Sequence, residues 1–413
     1  MNQSDSAGSD RKHYLLLANY AMVLLAGLNT GWIGPLIPAI SRVRDIPITE
    51  LGALLSVQFT GCLLTMSMGK KTVDWLGIKG SLMMASTVAA CGFLTFALAT
   101  NPDFLWLGSL LIGAGTGMNA IAGTLVVLRL ARENSATALN RVHLFFGLGA
   151  LLGPLVASIV HRSGIAYNSA FFLATILSIA ILALTVRADE LEKKPEEVNA
   201  PRSIEILKSP GLWLYSLVMF FYVGIESGAT AWLFVFLRQA GQLPHAQASL
   251  GMSMLWVGLT ASRHFCGQLC QKYSPPLVAL SFMLLSALSL LTLTIHPQLG
   301  LFTLALVTLI GFGFGPVFPT VLALVNNRYD RSAALVSTVA ITTGFMGGMI
   351  FPFSVGKIFQ QAGLIAGMGF VTASSVLMIL IFLITFKKAK LELPRESNKC
   401  EAEESKSGSR GNS

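Results

Sequence analysis

Apolar stretches long enough to cross a membrane follow one another along almost the whole chain, and polar positions are confined to the interruptions between them. About 20 residues of helix are needed to span a hydrocarbon core. Such runs fall at 15–39, 50–69, 80–99, 104–128, 138–160, 167–186, 212–237, 247–270, 276–295, 299–325, 332–356 and 365–386, twelve in all. None shows the strict alternation of a barrel strand, so each predicts a helix whose backbone satisfies its own hydrogen bonds in lipid. His296-Pro297 is the only break between the ninth and tenth. The longest charged interruption, 187–211, follows the sixth and divides the spans six and six.

The expected units follow from that division. Residues 1–14 form a polar cytoplasmic segment, read as loose. Residues 15–187 form a first six-helix bundle, 188–211 a cytoplasmic linker and 212–390 a second bundle. Residues 391–413 are a tail with too little apolar surface to fold.

The two halves are alike. Gly113-Ala114-Gly115-Thr116-Gly117 returns 198 positions later as Gly311-Phe312-Gly313-Phe314-Gly315. The same lag carries Gly149 onto Gly347 and Pro154 onto Pro352. Small residues let helices approach closely in lipid, and parallel repeats of this kind hold substrate between the halves near the bilayer midplane. The fold expected is an all-α membrane protein, with twelve transmembrane helices in two pseudo-symmetric six-helix bundles. Pro35, Pro38, Pro154, Pro316, Pro319 and Pro352 are expected to bend helices or free backbone carbonyls.

Composition agrees. Of 413 residues, 53% are hydrophobic and 12% charged, with mean hydropathy +0.66, against about a quarter charged in ordinary soluble domains. The net charge of +9 invites a nucleic-acid reading, which topology removes. With the N-terminus inside, 24 of the 29 Lys and Arg fall on the cytoplasmic side, and Arg42, Arg44, Arg162, Arg238 and Lys357 fall outside. That is the positive-inside distribution. Both termini are then cytoplasmic, in a plasma membrane or bacterial inner membrane. The first apolar run is too long for a signal-peptide core and predicts an uncleaved anchor. Five cysteines in spans or tail indicate no disulfide framework, and no metal set is completed.

Of 20 acidic residues, one lies deep in a span: Glu226 in FYVGIESGATAW. A carboxylate at membrane depth is costly and faces a cavity, a proton path or a hydrogen-bonded neighbour; both a coupling and a packing role stay open. Tyr222 lies one turn before it on the same face. His143 shares a face with Asn140 and can relay protons or hold a structural hydrogen bond. Arg129, Arg132 and Arg141 are snorkelling charges or gate partners, and Arg263 is a gate or a solute contact. Asn29, Gln58 and Asn119, with Trp32, Tyr222 and Trp232, offer hydrogen bonds and flat faces that suit a hydroxylated, uncharged solute, or else glue helices together. Asn326 and Asn327 lie at a span end. There is no P-loop, H-E-x-x-H or G-x-S-x-G and no pair of intramembrane carboxylates, so neither an ATP-driven cycle nor an enzyme is expected.

Between the second and third spans, Gly69, Asp74, Gly77 and Lys79 resemble the loop motif of the major facilitator superfamily. One extra residue separates Gly69 from Asp74, and Trp75 stands in place of a basic residue. The resemblance implies gating by Asp74 and Lys79. Within that superfamily, Asn140 through Pro154 (NRVHLFFGLGALLGP), Tyr222-Val-Gly-Ile-Glu226 and the glycine-rich fourth span resemble the fucose-permease-like branch, which implies proton-coupled uptake of a sugar. Neutral Asn29 and Asn119 lie in the regions of spans one and four where fucose permeases carry acids, which leaves Glu226 as the first coupling candidate, with His143 next. The expectation is a monomeric secondary transporter without cofactor, moving a small solute with protons by alternating access. Export of amphipathic compounds is the alternative within transport, and a non-transporting receptor or scaffold is the alternative outside it.

Overall fold

The computed structural model of the chain describes residues 3–131, 135–191, 204–329 and 332–392. Thirteen helices are described: α1 Gln3–Arg44, α2 Ile48–Leu51, α3 Ala53–Leu98, α4 Pro102–Ala131, α5 Ser135–Arg162, α6 Asn168–Arg187, α7 Pro210–Gln239, α8 His245–Lys272, α9 Pro275–Ile295, α10 Phe302–Phe314, α11 Val317–Arg328, α12 Ala333–Ala362 and α13 Leu364–Glu392. A 3₁₀ turn at Ile204–Lys208 precedes α7. No strand occurs among the described residues.

Ten helical stretches among them are long and apolar enough to cross a membrane, against twelve expected spans, and two differences explain the count. The second and third spans form one continuous stretch, Ile48–Leu98, because the chain turns at Gly77 without leaving helical pairing. Gly77 has φ 72°, a left-handed conformation that glycine adopts at no steric cost. The eighth span, α8, has 28 residues, length enough to cross, but its Ser, His, Gln and Arg content keeps it out of the ten. The tenth is broken. Its helix stops at Phe314 and resumes at Val317, where Pro316 and Pro319 remove two N–H donors. The segment expected to be loose at the N-terminus is helical from Gln3 and continues α1. Residues 192–203 of the 188–211 linker, the tail beyond Glu392, Arg132 and the side chain of Asn140 lie outside the described residues.

Helices α1 to α6 pack chiefly among themselves, and so do α7 to α13; the two sets meet through α5 on α8, α3 on α12 and α1 on α7. The repeated glycines explain how each set is built. A Cβ on Gly113 would sit 1.9 Å from the carbonyl oxygen of Gln58, and one on Gly311 would sit 1.9 Å from that of Leu255. Gly115 meets Ala85 O at 2.8 Å where Gly313 meets Phe282 O at 2.7 Å. Gly117 meets Cys62 O where Gly315 meets Leu259 O, and Gly149 meets Leu24 O where Gly347 meets Phe220 O. Each pair touches backbone at matching places in the two halves. These positions must be glycine because helix backbones are in van der Waals contact there. The recurring glycines are therefore repeated helix crossings, and the two bundles are pseudo-symmetric.

Candidate functional site

An even number of crossings leaves both chain ends at one end of the molecule, here termed the terminal end. A cavity of about 380 Å³ lies between the bundles. Along α1 its wall runs from Asn19 through Met22, Val23, Ala26 and Asn29 to Thr30, the i, i+3, i+4, i+7 spacing of one helical face. Along α4 it runs from Gly113 to Thr124, and along α7 from Tyr222 to Thr230. The α1 and α4 stretches lie between mid-depth and the terminal end, and the α7 stretch spans mid-depth, with Thr230 at its distal limit.

Beyond mid-depth, the distal half is sealed by contacts across the bundles. Ser56 Oγ accepts the Phe353 N–H at 3.1 Å and Ser253 Oγ donates to Leu151 O at 2.9 Å. Gly34 lets α1 approach Thr230 O, with 3.0 Å left to a built Cβ. The indole of Trp232 fits against Gly52 of the first bundle and donates to Pro352 O of its own bundle at 2.7 Å.

The first bundle supplies the wall with side-chain amides. Asn29 Nδ2 donates to Gln58 Oε1 at 3.0 Å, which leaves Asn29 Oδ1 and Gln58 Nε2 buried without partners among the described residues. Exchanging O and N in both amides leaves one donor and one acceptor unmet all the same. Lower in the wall, Asn119 Nδ2 donates to Asn19 Oδ1 at 3.1 Å, Asn19 reaches Gly123 O, and Asn119 Oδ1 is unmet. Each buried polar atom left unmet costs about 1–3 kcal/mol, so a ligand that meets them gains that much.

The second bundle supplies charge. Tyr222, Glu226 and Arg263 line the cavity together, and the Tyr222 hydroxyl faces both charged groups without the alignment of a full hydrogen bond. Arg263 also acts on His143 across the cavity. Backbone chemistry fixes Arg263 in place. In an unbroken helix Gly315 O would accept the N–H of residue 319, but residue 319 is proline. Arg263 Nε donates to Gly315 O instead, at 3.2 Å. Aromatic rings complete the enclosure. Phe146 meets Trp256 edge-on at 5.8 Å, and Phe59 meets Phe345 at 5.5 Å, each pair crossing the bundles.

Of the residues singled out by sequence, Asn29, Gln58, Asn119, Tyr222, Glu226, His143 and Arg263 therefore come together on one cavity. Trp32 and Trp232 do not line it. Trp32 packs edge-on against Phe171 inside the first bundle, and Trp232 belongs to the distal seal. The remaining charges lie away from the cavity wall. Asp74 and Arg141 are exposed. Lys79 Nζ donates to Ala188 O at 2.6 Å, at the C-terminal end of α6, and its backbone N–H donates to Glu190 at 3.2 Å. Arg129 lies in the last turn of α4.

Sequence reading missed Asn19, Trp256 and Glu190. An amide one turn inside a span and a tryptophan amid leucines carry no pattern of their own. Glu190 lies in the charged linker, where one acid looks like another.

A family model described as Major Facilitator Superfamily matches residues 20–352. A glucose/mannose transporter, GlcP, of Bacillus subtilis is 24% identical over 92% of this chain and 96% of its own length. A class H tetracycline resistance protein of Pasteurella multocida is 22% identical over 80% of this chain and 86% of its own. The solved structure of the nucleoside transporter NupG (D323A mutant) superposes with a TM-score of 0.74, at 16% identity, over 90% of this chain and all of the other. With the family model covering most of the chain, the paired glycine crossings and a cavity between two bundles, the chain belongs to the Major Facilitator Superfamily and is an integral membrane transporter rather than an enzyme.

Proposed function

We propose that the protein takes up a neutral, hydroxylated solute of the sugar class together with protons, with the terminal end facing the cytoplasm. The observation that carries this is the pair of amide contacts, Asn29–Gln58 and Asn19–Asn119, which leave both donor and acceptor capacity unmet on a wall rimmed by aromatic rings. A hydroxyl group donates and accepts at once, so it can meet both halves of such a wall. The apolar faces of a sugar ring suit Trp256 and Phe146. GlcP, which matches nearly end to end, is a sugar transporter by its description.

Orientation follows from charge. Most Lys and Arg lie in the loops of the terminal end, and the positive-inside rule puts that end in the cytoplasm. The cavity then opens inward. Coupling is assigned to Glu226. Protonated, it is neutral and can be occluded, so the solute-loaded carrier crosses with a proton and the solute-loaded ionised one does not; once solute and proton have left, the ionised carboxylate is balanced by Arg263 and the empty carrier returns. His143, which lines the same cavity and is acted on by Arg263, is the second coupling candidate. In this reading Asp74, Lys79, Arg129 and Arg141 act at the cytoplasmic gate when that side closes. The carrier works as a monomer, with its site between its own two bundles.

The test is binding of a panel of solutes to the purified protein: neutral hexoses and pentoses, nucleosides, and amphipathic cations including tetracycline. A neutral sugar should bind, and Asn29→Ala and Asn119→Ala should weaken that binding while leaving the protein monodisperse. If amphipathic compounds bind and sugars do not, the export reading replaces this one.

A further inference from the structure

A stacked pair of histidines at the distal end belongs neither to the cavity nor to the repeat. His161 lies in the last turn of α5, and His245 is the first residue of α8, outside the expected spans. Their rings are 3.8 Å apart between centroids and 10° from parallel. The contact therefore joins one bundle to the other on the side that the structure holds shut. Phe234 closes over His245 edge-on at 5.1 Å, and Ser249 Oγ lies 3.4 Å from its Nδ1.

The surroundings of the pair are cationic. Besides His161, the charged groups acting on His245 are Arg238 of α7, Arg162 of α5 and Arg42 of α1, with no carboxylate among them. Helices α9 and α10 also pack on α8 and add no charged group to that set.

We propose that the His161–His245 pair is a proton-binding site that unlatches the distal gate. A proton taken up by the pair puts a new cation face to face with its neighbours, and parting the bundles at that end relieves the repulsion. The site is separate from Glu226, and it rests on the alternating movement of the two bundles rather than on any cargo.

The direction follows from linkage. Burial first, and the neighbouring cations after it, lower His245 from an ordinary 6.5 to about 4 while the rings are stacked. Once parted, the imidazole regains water and its usual proton affinity. The proton thus binds the parted form more tightly, and acid must in return favour parting. Above pH 6.5 neither form holds the proton and the latch stays shut. Between about 6.5 and 4, each pH unit multiplies the open-to-shut ratio by at most about tenfold. Below about 4 both forms are protonated and the effect levels off. With the distal end facing outside, an acidic exterior would present the cavity to the side from which solute and protons enter.

The experiment is a distance measurement on the full chain in lipid nanodiscs, without solute. Spin labels are placed on Ser163→Cys and Gln298→Cys, both exposed at the distal end, after the native cysteines are replaced. Double electron–electron resonance is recorded from pH 8 to pH 4.5. The long-distance population should rise severalfold per unit below pH 6.5. His245→Gln should abolish that rise, and His245→Lys, charged throughout, should show the long distance already at pH 8. A distribution that ignores pH in the parent protein overturns the proposal. An unaltered pH response in His245→Gln overturns it equally; should that variant fail to fold, His245→Lys showing the short distance at pH 8 does the same.

Discussion

The distal seal makes a quantitative prediction at Gly52. Its backbone, φ −61° and ψ −25°, suits alanine, so Gly52→Ala adds a methyl group and nothing else. That Cβ would lie 1.9 Å from Cζ2, 2.4 Å from Cε2 and 2.8 Å from Nε1 of Trp232. The indole has nowhere to go. It is fully buried, Phe359 meets it edge-on at 4.9 Å, and the backbone of Gly356 is so close that a Cβ there would lie 2.6 Å from Cζ2. Moving the ring forfeits its hydrogen bond to Pro352 O, about 1 kcal/mol net, and overpacking adds about 1–3 kcal/mol. Gly52 and Trp232 are on opposite bundles, so the roughly 2–4 kcal/mol falls on the shut form alone. That multiplies the open-to-shut ratio by roughly 30- to 700-fold. The Ser163–Gln298 spin-label distance at pH 8 reads this directly. Gly313→Ala, which meets Phe282 O within the second bundle, is the control, since it should lower thermal stability without moving the distance. A folded Gly52→Ala protein with the parent's distance distribution would refute the assignment of Trp232 to the seal.

Three further outcomes test the cavity. Asn29→Ala and Asn119→Ala should each weaken solute binding about 10- to 100-fold, the effect of removing one buried hydrogen-bonding group; Trp32→Phe, outside the cavity, should leave the dissociation constant unchanged. Glu226→Gln should retain counterflow but lose gradient-driven accumulation, and accumulation at the parent level would make Glu226 a packing residue. Pro319→Ala restores an N–H opposite Gly315 O and frees Arg263, so the accumulation ratio should fall severalfold with membrane insertion intact, as measured by solute uptake at a fixed pH gradient.

The architecture was legible in the sequence because lipid imposes it: long apolar runs, glycine at helix crossings and a charged linker at the midpoint. The 198-residue lag survives because Gly113 and Gly311 must both admit a neighbouring carbonyl, which tolerates no Cβ. The eighth span was legible by its length and position, although its polar content makes it the least apolar of the twelve. The site was legible in part. Glu226, Asn29, Gln58 and Asn119 stood out as polar residues at membrane depth, where polarity is costly and so marks a cavity or a contact. Trp32 and Trp232 shared the chemistry of a sugar-binding ring, but ring chemistry does not fix the direction a helix face takes. The angular position of α1 and α7 between the bundles decides that, and it is set by contacts more than 100 residues apart in sequence. Arg263 was equally ambiguous from sequence; its anchor is a carbonyl left without a donor by Pro319, a consequence visible only when α8 lies beside that break.

The central claim, a carrier that moves a neutral hydroxylated solute with protons, is tested most directly by flux in proteoliposomes. Purified protein is reconstituted with an imposed pH gradient, acidic outside, and uptake of labelled hexoses and pentoses is followed with and without a protonophore. The account predicts accumulation of at least one sugar above the external concentration, collapse to equilibration when the gradient is dissipated, and proton entry that accelerates when sugar is added. Equal uptake with and without the gradient, or gradient-driven movement of amphipathic cations in place of sugars, would contradict it.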